Sequence, residues 1–206
     1  MFGKIKKFFR SLFGSKDNVK LGIYGPTNVG KTSLANRISL DFTGEELGNV
    51  SEVPHETRTV EKKERVAMKS NNKELNMNLL DMPGISTKVD FKDFMDHGME
   101  EDEAKDRAKE ATKGIVEAIK WLDDVDACLV VFDSSENPYS QVNVTILGNL
   151  EAKDIPIILV ANKIDLDEAE PEKIKDAFPQ YKFIEVSAKE GDNLEKLYDK
   201  ILNELG

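Results

Sequence analysis

The sequence predicts an α/β protein whose parallel-rich sheet is covered by helices on both faces. Short apolar runs alternate with longer amphipathic stretches, the order typical of repeated strand–helix–strand units. Two of the runs, Val125–Phe132 and Ile155–Ala161, are apolar throughout, as expected of central strands that are buried on both sides. The 206 residues suffice for one such domain with a short appendage.

The first half of the chain contains three predicted strands. Val19–Tyr24 is a predicted strand that ends in a glycine-rich turn, and Lys31–Leu40 is the predicted helix that follows. Residues 41–58 are polar and contain two glycines and one proline, so we expect a long loop. Thr59–Met68 and Leu75–Leu80 flank a Ser-Asn-Asn turn, which predicts a hairpin with the charged first strand at an edge of the sheet.

The second half begins with residues 85–98, which we expect to be irregular. Met99 to Leu122 is a predicted helix, because apolar side chains recur at helical spacing. Further helical patterns fill about residues 138–152, 171–177 and 190–205, and Phe183–Val186 is a predicted last strand. The periodic apolar residues of the long helix are Ala104, Ala108, Ala111, Ile115, Ile119 and Leu122.

Charge is distributed unevenly along the chain. The formal net charge is −10, yet residues 1–16 hold four lysines, one arginine and no acid, a charge of +5, which leaves −15 on the rest. An acidic body is a poor general binder of nucleic acid, so we expect no direct DNA binding. The basic end is a candidate interaction element.

Cysteine and histidine counts exclude several kinds of site. The single cysteine, Cys128, excludes an intrachain disulfide framework and a cysteine-rich zinc site, and it fits a reducing cytoplasm. Two histidines argue against a histidine-rich metal centre. The sequence has no run near the roughly 18 apolar residues of a membrane-spanning helix.

The segment between the first strand and its helix matches the phosphate-loop pattern G-x-x-x-x-G-K-[ST]. Its glycines allow backbone N–H groups to surround phosphate oxygens, and the helix N-terminus adds a favourable dipole. We expect Lys31 to contact the outer phosphates and the Thr32 hydroxyl to ligate Mg²⁺. The candidate phosphate-binding residues are Gly25, Asn28, Val29, Gly30, Lys31, Thr32 and Ser33.

Three further motifs follow predicted strands. Asp81-Met82-Pro83-Gly84 places a carboxylate where it can hold a Mg²⁺-bound water, and the Gly84 N–H can reach a γ-phosphate. In Asn162-Lys163-Ile164-Asp165, the Asp165 carboxylate can accept two hydrogen bonds from guanine, a donor pair that adenine lacks. Lys163 can lay its stem along the base. Ser187-Ala188-Lys189 can supply a backbone N–H to the guanine O6.

These four motifs, in this order, resemble those of the small GTPases over about residues 19–205. Asn28-Val29-Gly30-Lys31 and the Asp-x-Pro-Gly motif look most like the Era/TrmE-like branch. The resemblance implies a three-layer P-loop GTPase fold, with a six-stranded, mostly parallel sheet flanked by about five helices and an antiparallel edge strand at 59–68. It also implies binding of GTP and GDP with Mg²⁺, hydrolysis of GTP to GDP and phosphate, and an unknown protein effector.

The resemblance places the first switch at about residues 41–59 and the second at about 81–100. It assigns Thr57 as the Mg²⁺-binding threonine of the first switch, with Thr59 as the alternative, and Asp81 as a metal-orienting residue. The catalytic residues that it implies are Lys31, Thr57, Gly84 and Asn28.

Two positions bear on the rate of hydrolysis. Ile85 stands where Ras-like relatives have the glutamine that positions the attacking water, which implies slow intrinsic turnover or a different device. In several relatives of the branch the asparagine equivalent to Asn28 helps to bind a potassium ion; the alternative is that Asn28 only hydrogen-bonds within its loop.

Residues 1–16 form a predicted unit separate from the GTPase domain at 17–206. Apolar residues recur every three or four positions and define one broad helical face, while the basic residues lie largely elsewhere, the pattern of an interfacial amphipathic helix. We expect reversible contact with an anionic membrane on its cytoplasmic side, or packing on the acidic domain or a protein partner. The apolar face consists of Phe2, Ile5, Phe8, Phe9, Leu12 and Phe13.

Two biological roles remain open on this basis. The first is a membrane-peripheral switch that recruits an effector when GTP is bound, favoured by residues 1–16. The second is a soluble GTPase of ribosome or RNA maturation, favoured by the resemblance. Era carries a C-terminal RNA-binding domain that has no counterpart among the predicted elements, so the sequence favours the first role.

Overall fold

The chain forms a six-stranded sheet with helices on both faces, as seen in a computed structural model that describes residues 18–48, 59–70, 73–86, 91–96 and 98–206. The strands are β1 Val19–Tyr24, β2 Glu61–Ser70, β3 Lys73–Asp81, β4 Ala127–Asp133, β5 Ile157–Asn162 and β6 Lys182–Glu185. The α-helices are α1 Lys31–Thr43, α2 Phe91–Asp96, α3 Glu101–Lys120, α4 Gln141–Ala152, α5 Pro171–Ala177 and α6 Leu194–Leu205. A 3₁₀ turn at Trp121–Asp123 follows α3.

The strand order is β2-β3-β1-β4-β5-β6, and only the β2–β3 pair is antiparallel. The predicted hairpin and its antiparallel edge strand are therefore confirmed. β2 carries a bulge between Lys63 and Val66, where Arg65 adopts a φ of 56°. Bulges and alternating charge are common at edges, because they discourage pairing with another chain.

The core lies in two layers, one on each face of the sheet. On one face α1 and α6 pack on alternate residues of β1 and β4, including Leu21 and Leu129, and the C-terminal helix contributes Leu197 and Ile201. On the other face α3, α4 and α5 cover the remaining strand residues. Because β4 and β5 are buried on both sides, their sequences are apolar, as predicted, up to their last residues, Asp133 and Asn162.

Two details differ from the sequence-based expectations. Residues 85–98 are not wholly irregular, since α2 lies within them and brings the described helices to six rather than about five. This helix buries Phe94 against Ala104 of α3, and its six residues make fewer than two turns, too few for a periodic signal. In α3, Ile119 fits the apolar period but is 46% exposed.

Among the helices that the described ranges contain, none is both long and apolar enough to cross a bilayer. Residues 1–17, and with them the predicted amphipathic helix, lie outside the described residues. Cys128 is a free, buried thiol in β4, and its burial raises its pKa well above the usual value.

The C-terminal helix is tied to α1 by an aromatic residue. The Tyr198 hydroxyl donates to Asp41 Oδ2 at 2.6 Å, and its ring meets Phe42 edge-on with 4.9 Å between centroids. Tyr198→Phe keeps the ring contact and removes the hydrogen bond to the carboxylate. We expect the free energy of unfolding to fall by about 1–2 kcal/mol, measured by urea denaturation.

The matched control for this test is Tyr139→Phe, because the Tyr139 side chain is 63% exposed. Its free energy of unfolding should stay within about 0.5 kcal/mol of the parent. Equal effects of the two substitutions would contradict the structural role of the Tyr198 hydroxyl.

Candidate guanine-nucleotide site

The loop between β1 and α1 requires glycine at two positions. A Cβ on Gly30 would lie 2.3 Å from Asn162 Nδ2, and the backbone there has a φ of +91°. A Cβ on Gly25 would lie 2.4 Å from the Val131 carbonyl oxygen. The loop is therefore packed closely against β4 and the end of β5, and it leads directly into the N-terminus of α1, where backbone N–H groups can meet an anion.

Lys31 is the first residue of α1 and is 6% exposed. Its ammonium donates to the Pro26 carbonyl at 2.6 Å, so the side chain folds back along the loop. Burial lowers the pKa of Lys31 to about 8, although the nearby Asp81 acts in the opposite direction. A cation held in this way is available to phosphate oxygens at the loop.

Thr32 and Asp81 form a pair of oxygen donors beside the loop. The Thr32 hydroxyl donates to Asp81 Oδ2 at 2.6 Å. Asp81 is fully buried, and its Oδ1 has no hydrogen-bond partner among the described residues. Burial raises the pKa of Asp81 to about 6, against the opposing effects of Thr32 and Lys31. A buried carboxylate with an unused oxygen next to a hydroxyl suits Mg²⁺, which prefers oxygen ligands.

The segment after Asp81 is joined to the phosphate loop. Ile85 N–H donates to the Gly25 carbonyl at 3.2 Å, and Pro26 and Ile85 form a parallel bridge. A Cβ on Gly84 would lie 2.7 Å from Thr27 Cγ2, so Gly84 lies directly against the loop. Ile85 is 9% exposed and packs in the core with Met82, which leaves its side chain no role in orienting a water.

Asn162 joins the phosphate loop to the loop after β6. Its side-chain Nδ2 donates to the Val29 carbonyl at 2.8 Å, and its Oδ1 accepts from Ala188 N–H at 2.9 Å. Asn162 is 3% exposed, so these two contacts lie in the interior. The motif Asn162-Lys163-Ile164-Asp165 was predicted to recognise the base. Through Asn162 it also fixes the distance between the phosphate loop and the loop after β6.

Asp165 is held by the neighbouring serine. The Ser187 hydroxyl donates to Asp165 Oδ1 at 2.6 Å and accepts from Glu190 N–H at 3.0 Å. Ser187 is fully buried, whereas Asp165 is half-buried and can be reached from solvent. Lys189 is exposed, and its carbonyl accepts from Arg37 Nη2 of α1 at 3.1 Å.

Two residues that organise this region lie outside the four sequence motifs. Asn36 of α1 accepts from Leu47 and Gly48 N–H groups through Oδ1 and donates to the Gly48 carbonyl through Nδ2. Asp133, the last residue of β4, pairs with Lys163. A polar residue inside a helix and an acidic residue at the end of a strand are both common, so the sequence around Asn36 or Asp133 does not by itself predict a functional role.

The predicted residues of all four motifs meet at one edge of the sheet. They follow the carboxyl ends of β1, β3, β5 and β6, where loops of parallel strands converge. Asn28 is exposed with a φ of 61°, and Ser33 is half-buried in the first turn of α1. Thr57 lies outside the described residues, while the alternative Thr59 is exposed ahead of β2.

The fold and this arrangement define a P-loop GTPase domain. The model of the 50S ribosome-binding GTPase family matches residues 20–163, and the chain belongs to that family. This confirms the resemblance to the Era/TrmE-like branch.

Curated relatives and solved structures agree with this assignment. The chain is 32% identical to the GTPase Era of Geotalea uraniireducens (strain Rf4) over 95% of its own length and 56% of the relative. It is 29% identical to the tRNA modification GTPase MnmE of Clostridioides difficile (strain 630) over 96% of its length and 37% of the relative. The chain thus spans about half or less of the curated relatives it matches.

A variant of Aquifex aeolicus Era bound to GDP·AlF₄⁻ has the same fold, with a TM-score of 0.67 and 23% identity over 91% of this chain and 56% of that one. A structure of Era with MgGDPNP and a segment of 16S ribosomal RNA gives a TM-score of 0.68, also at 23% identity, over 91% of this chain and 57% of that one. These likenesses confirm the predicted fold class.

Asn162→Ala tests the connection between the two ends of the site. It would leave the Val29 carbonyl and the Ala188 N–H without their partner in the interior. We expect the free energy of unfolding to fall by about 2–4 kcal/mol, since each unpaired buried group costs about 1–3 kcal/mol. Thermal denaturation without nucleotide measures the effect.

Asn149→Ala is the control, because Asn149 is exposed on α4 and donates to the Thr145 carbonyl one turn earlier in the same helix. A loss at Asn162 no larger than at Asn149 would show that the amide does not hold the two loops together.

Proposed function

We propose that this chain is a guanine-nucleotide switch that binds GTP and GDP and hydrolyses GTP slowly. The observation that carries the proposal is the meeting of a phosphate loop, a buried Asp81 and an accessible Asp165 at one edge of the sheet. Asp165 is oriented by Ser187, and its carboxylate is suited to the N1–H and 2-amino group of guanine. The family assignment supports the same activity.

In the proposed mechanism the chain positions the phosphates and stabilises their charge, without covalent catalysis. The phosphates would be surrounded by the first turn of α1 and by four residues of the loop before it, Gly25, Asn28, Val29 and Gly30. Lys31 would move its ammonium from the Pro26 carbonyl to the outer phosphate oxygens. Thr32 and Asp81 would hold Mg²⁺, with Thr57 as a further ligand from the first switch. Bound Mg²⁺ would neutralise charge on the β- and γ-phosphates. Gly84 N–H reports the presence of the γ-phosphate to the second switch.

Asp165→Asn tests the choice of base. The amide offers one acceptor and one donor where guanine needs two acceptors, so GTP affinity should fall roughly 10²–10⁴-fold, since two hydrogen bonds to a charged group are disturbed. Xanthosine triphosphate, which has a carbonyl at C2, should bind the variant better than GTP. Titration with a fluorescent analogue of each nucleotide measures both.

The control is Asp167→Asn, an exposed carboxylate two residues further along. Its GTP affinity should match that of the parent. Unchanged GTP binding by Asp165→Asn, or tight ATP binding by the parent chain, would contradict guanine specificity.

Ile85 is buried in the core, so it does not take the place of the glutamine that positions the attacking water in Ras-like relatives. Its burial supports a different means of accelerating hydrolysis. We propose that Asn28, an exposed residue of that loop, helps to hold a potassium ion. Bound potassium would supply positive charge next to the transferred phosphoryl group.

This proposal predicts faster GTP hydrolysis in K⁺ than in Na⁺ at equal ionic strength. Asn28→Ala should remove the difference between the two salts, while Asn149→Ala should preserve it. Phosphate release under single-turnover conditions is the measurement. Equal rates in both salts for the parent chain would leave Asn28 with a local role in its loop only.

For the biological role, we propose that residues 1–16 act as a reversible membrane element joined to the GTPase domain at 17–206. The support is the +5 charge and the apolar periodicity of that segment beside an acidic remainder. Each cation near an anionic surface contributes about 1 kcal/mol. The proposed location is the cytoplasm, with peripheral binding at the cytoplasmic face of a membrane, and a protein effector would respond to the GTP state.

A role in ribosome or RNA maturation is the second candidate, and the family assignment favours it. The matching family is described as ribosome-binding, and one structural relative is Era in complex with 16S ribosomal RNA. On this proposal the GTP state of the domain controls association with a ribosomal particle.

Flotation with vesicles separates the two roles. We expect the full chain bound to a non-hydrolysable GTP analogue to float with vesicles that contain anionic lipid, and to remain behind with neutral vesicles. Phe8→Asp together with Phe9→Asp interrupts the apolar face and should abolish flotation. Sedimentation with ribosomes at moderate salt, without flotation in either nucleotide state, would favour the second role.

A further inference from the structure

An ion pair beside the base end of the site joins Lys163 of the base motif to Asp133, which lies outside the four motifs. Asp133 ends β4, and Lys163 follows directly after β5, the neighbouring parallel strand. The Lys163 Nζ lies 2.5 Å from Asp133 Oδ2. The aspartate side chain is only 5% exposed, while that of the lysine is 32% exposed. The pair therefore has a buried anchor and a side chain that reaches the surface.

The Asp133 carboxylate is held on both of its oxygens. Its Oδ1 accepts from Ser135 N–H at 3.0 Å and from the Ser135 hydroxyl at 2.7 Å, while Oδ2 accepts from Lys163. Burial by itself would raise the pKa of Asp133, but the hydrogen bonds from Lys163 and Ser135 outweigh it and lower the pKa. The group is thus a fixed anion at neutral pH, and it is paired with the Lys163 ammonium.

Lys163 is constrained at both ends of its side chain. Its backbone has a φ of 66°, in the left-handed region, between the buried Asn162 and the base-reading Asp165. Its ammonium is held by Asp133. A lysine side chain that is free at its end samples many rotamers, so fixing both ends gives the methylene stem one defined path.

The path of the Lys163 stem begins between two residues of the proposed guanine site, Asn162 and Asp165. Asp165 is placed to read the edge of a base, and the Asn162 side chain fixes the loop that leads to it. A planar base whose edge meets Asp165 must present a face to the residues just before it. In the proposed guanine site the apolar stem of Lys163 would meet that face, while its charged end stays on Asp133.

We propose that Asp133 is a positioning residue for the nucleotide base: it fixes the Lys163 ammonium, so that the lysine stem forms one wall of the guanine site. This proposal rests on the guanine-nucleotide binding proposed above. Because a wall contacts the face of a base rather than its edge, Asp133 should affect guanine and hypoxanthine nucleotides equally. Asp165, in contrast, distinguishes them by the 2-amino group that hypoxanthine lacks.

A double-mutant cycle in the full chain tests this coupling. The variants are Asp133→Asn, Lys163→Met and the double substitution, each assayed for the affinity and dissociation rate of fluorescently labelled GDP and IDP. We expect Asp133→Asn to weaken both nucleotides by the same factor, roughly tenfold, mainly through faster dissociation. In the Lys163→Met background, Asp133→Asn should have no further effect, because the ammonium that it holds is already absent.

Glu170→Gln is the matched control, since Glu170 forms an exposed ion pair with Lys173 close in sequence to the base motif. It should leave GDP dissociation unchanged. An undiminished effect of Asp133→Asn in the Lys163→Met background would overturn the proposal and assign Asp133 to the Ser135 turn alone. So would a loss that is larger for GDP than for IDP.

If Asp133→Asn does not fold, Lys163→Met provides the test. The Lys163 side chain is partly exposed, and methionine keeps an apolar stem while removing the ammonium. The substitution should weaken GDP binding while thermal denaturation without nucleotide shows a stable domain, and unchanged GDP affinity would overturn the proposal. Failure of the parent chain to bind GDP is a different result, because it would contradict the proposed function itself.

Discussion

The buried amide of Asn162 is the interaction on which the site depends. It spans the space between the Val29 carbonyl of the phosphate loop and the Ala188 N–H of the loop after β6, at the carboxyl end of β5. A nucleotide must be held at two distant ends, and one amide with a donor and an acceptor fixes the separation between them. The close approach of Gly30 to the same amide explains why that loop position has no room for a side chain.

Charged groups in the interior give the site its chemical character. Lys31 and Asp81 are both buried, and burial opposes the charged form of each, which lowers the pKa of the lysine and raises that of the aspartate. In this fold they lie at a strand end and a helix start that face the phosphate position, so the binding of phosphate and metal would return the favourable partners that burial removes. Asp133 differs, because hydrogen bonds from Lys163 and Ser135 outweigh the effect of burial and lower its pKa.

The two loops after α1 and after β3 are each attached to the core at their beginning. Asn36 attaches Leu47 and Gly48, in the segment predicted as the first switch, to α1. The segment predicted as the second switch is joined to the phosphate loop by the hydrogen bond from Ile85 to Gly25. Both attachments are made by residues in or next to elements that pack in the core, α1 in one case and β1 and β3 in the other. Motion that depends on the nucleotide would therefore begin beyond these two points of attachment.

The sequence alone determined the strand–helix alternation, the position of the sheet edge and the four motifs, because these depend on local apolar pattern and on short spacings along the chain. It placed β4 and β5 in the centre from their continuous apolar character. It missed α2, because a helix of six residues is shorter than two turns and leaves no apolar period to detect. Only the tertiary structure decided the roles of Asn36, Asp133 and the Asn162 amide, since each depends on which residues meet across the fold. A hydrogen bond between residues 133 positions apart in the chain, as between Val29 and Asn162, leaves no trace in local composition.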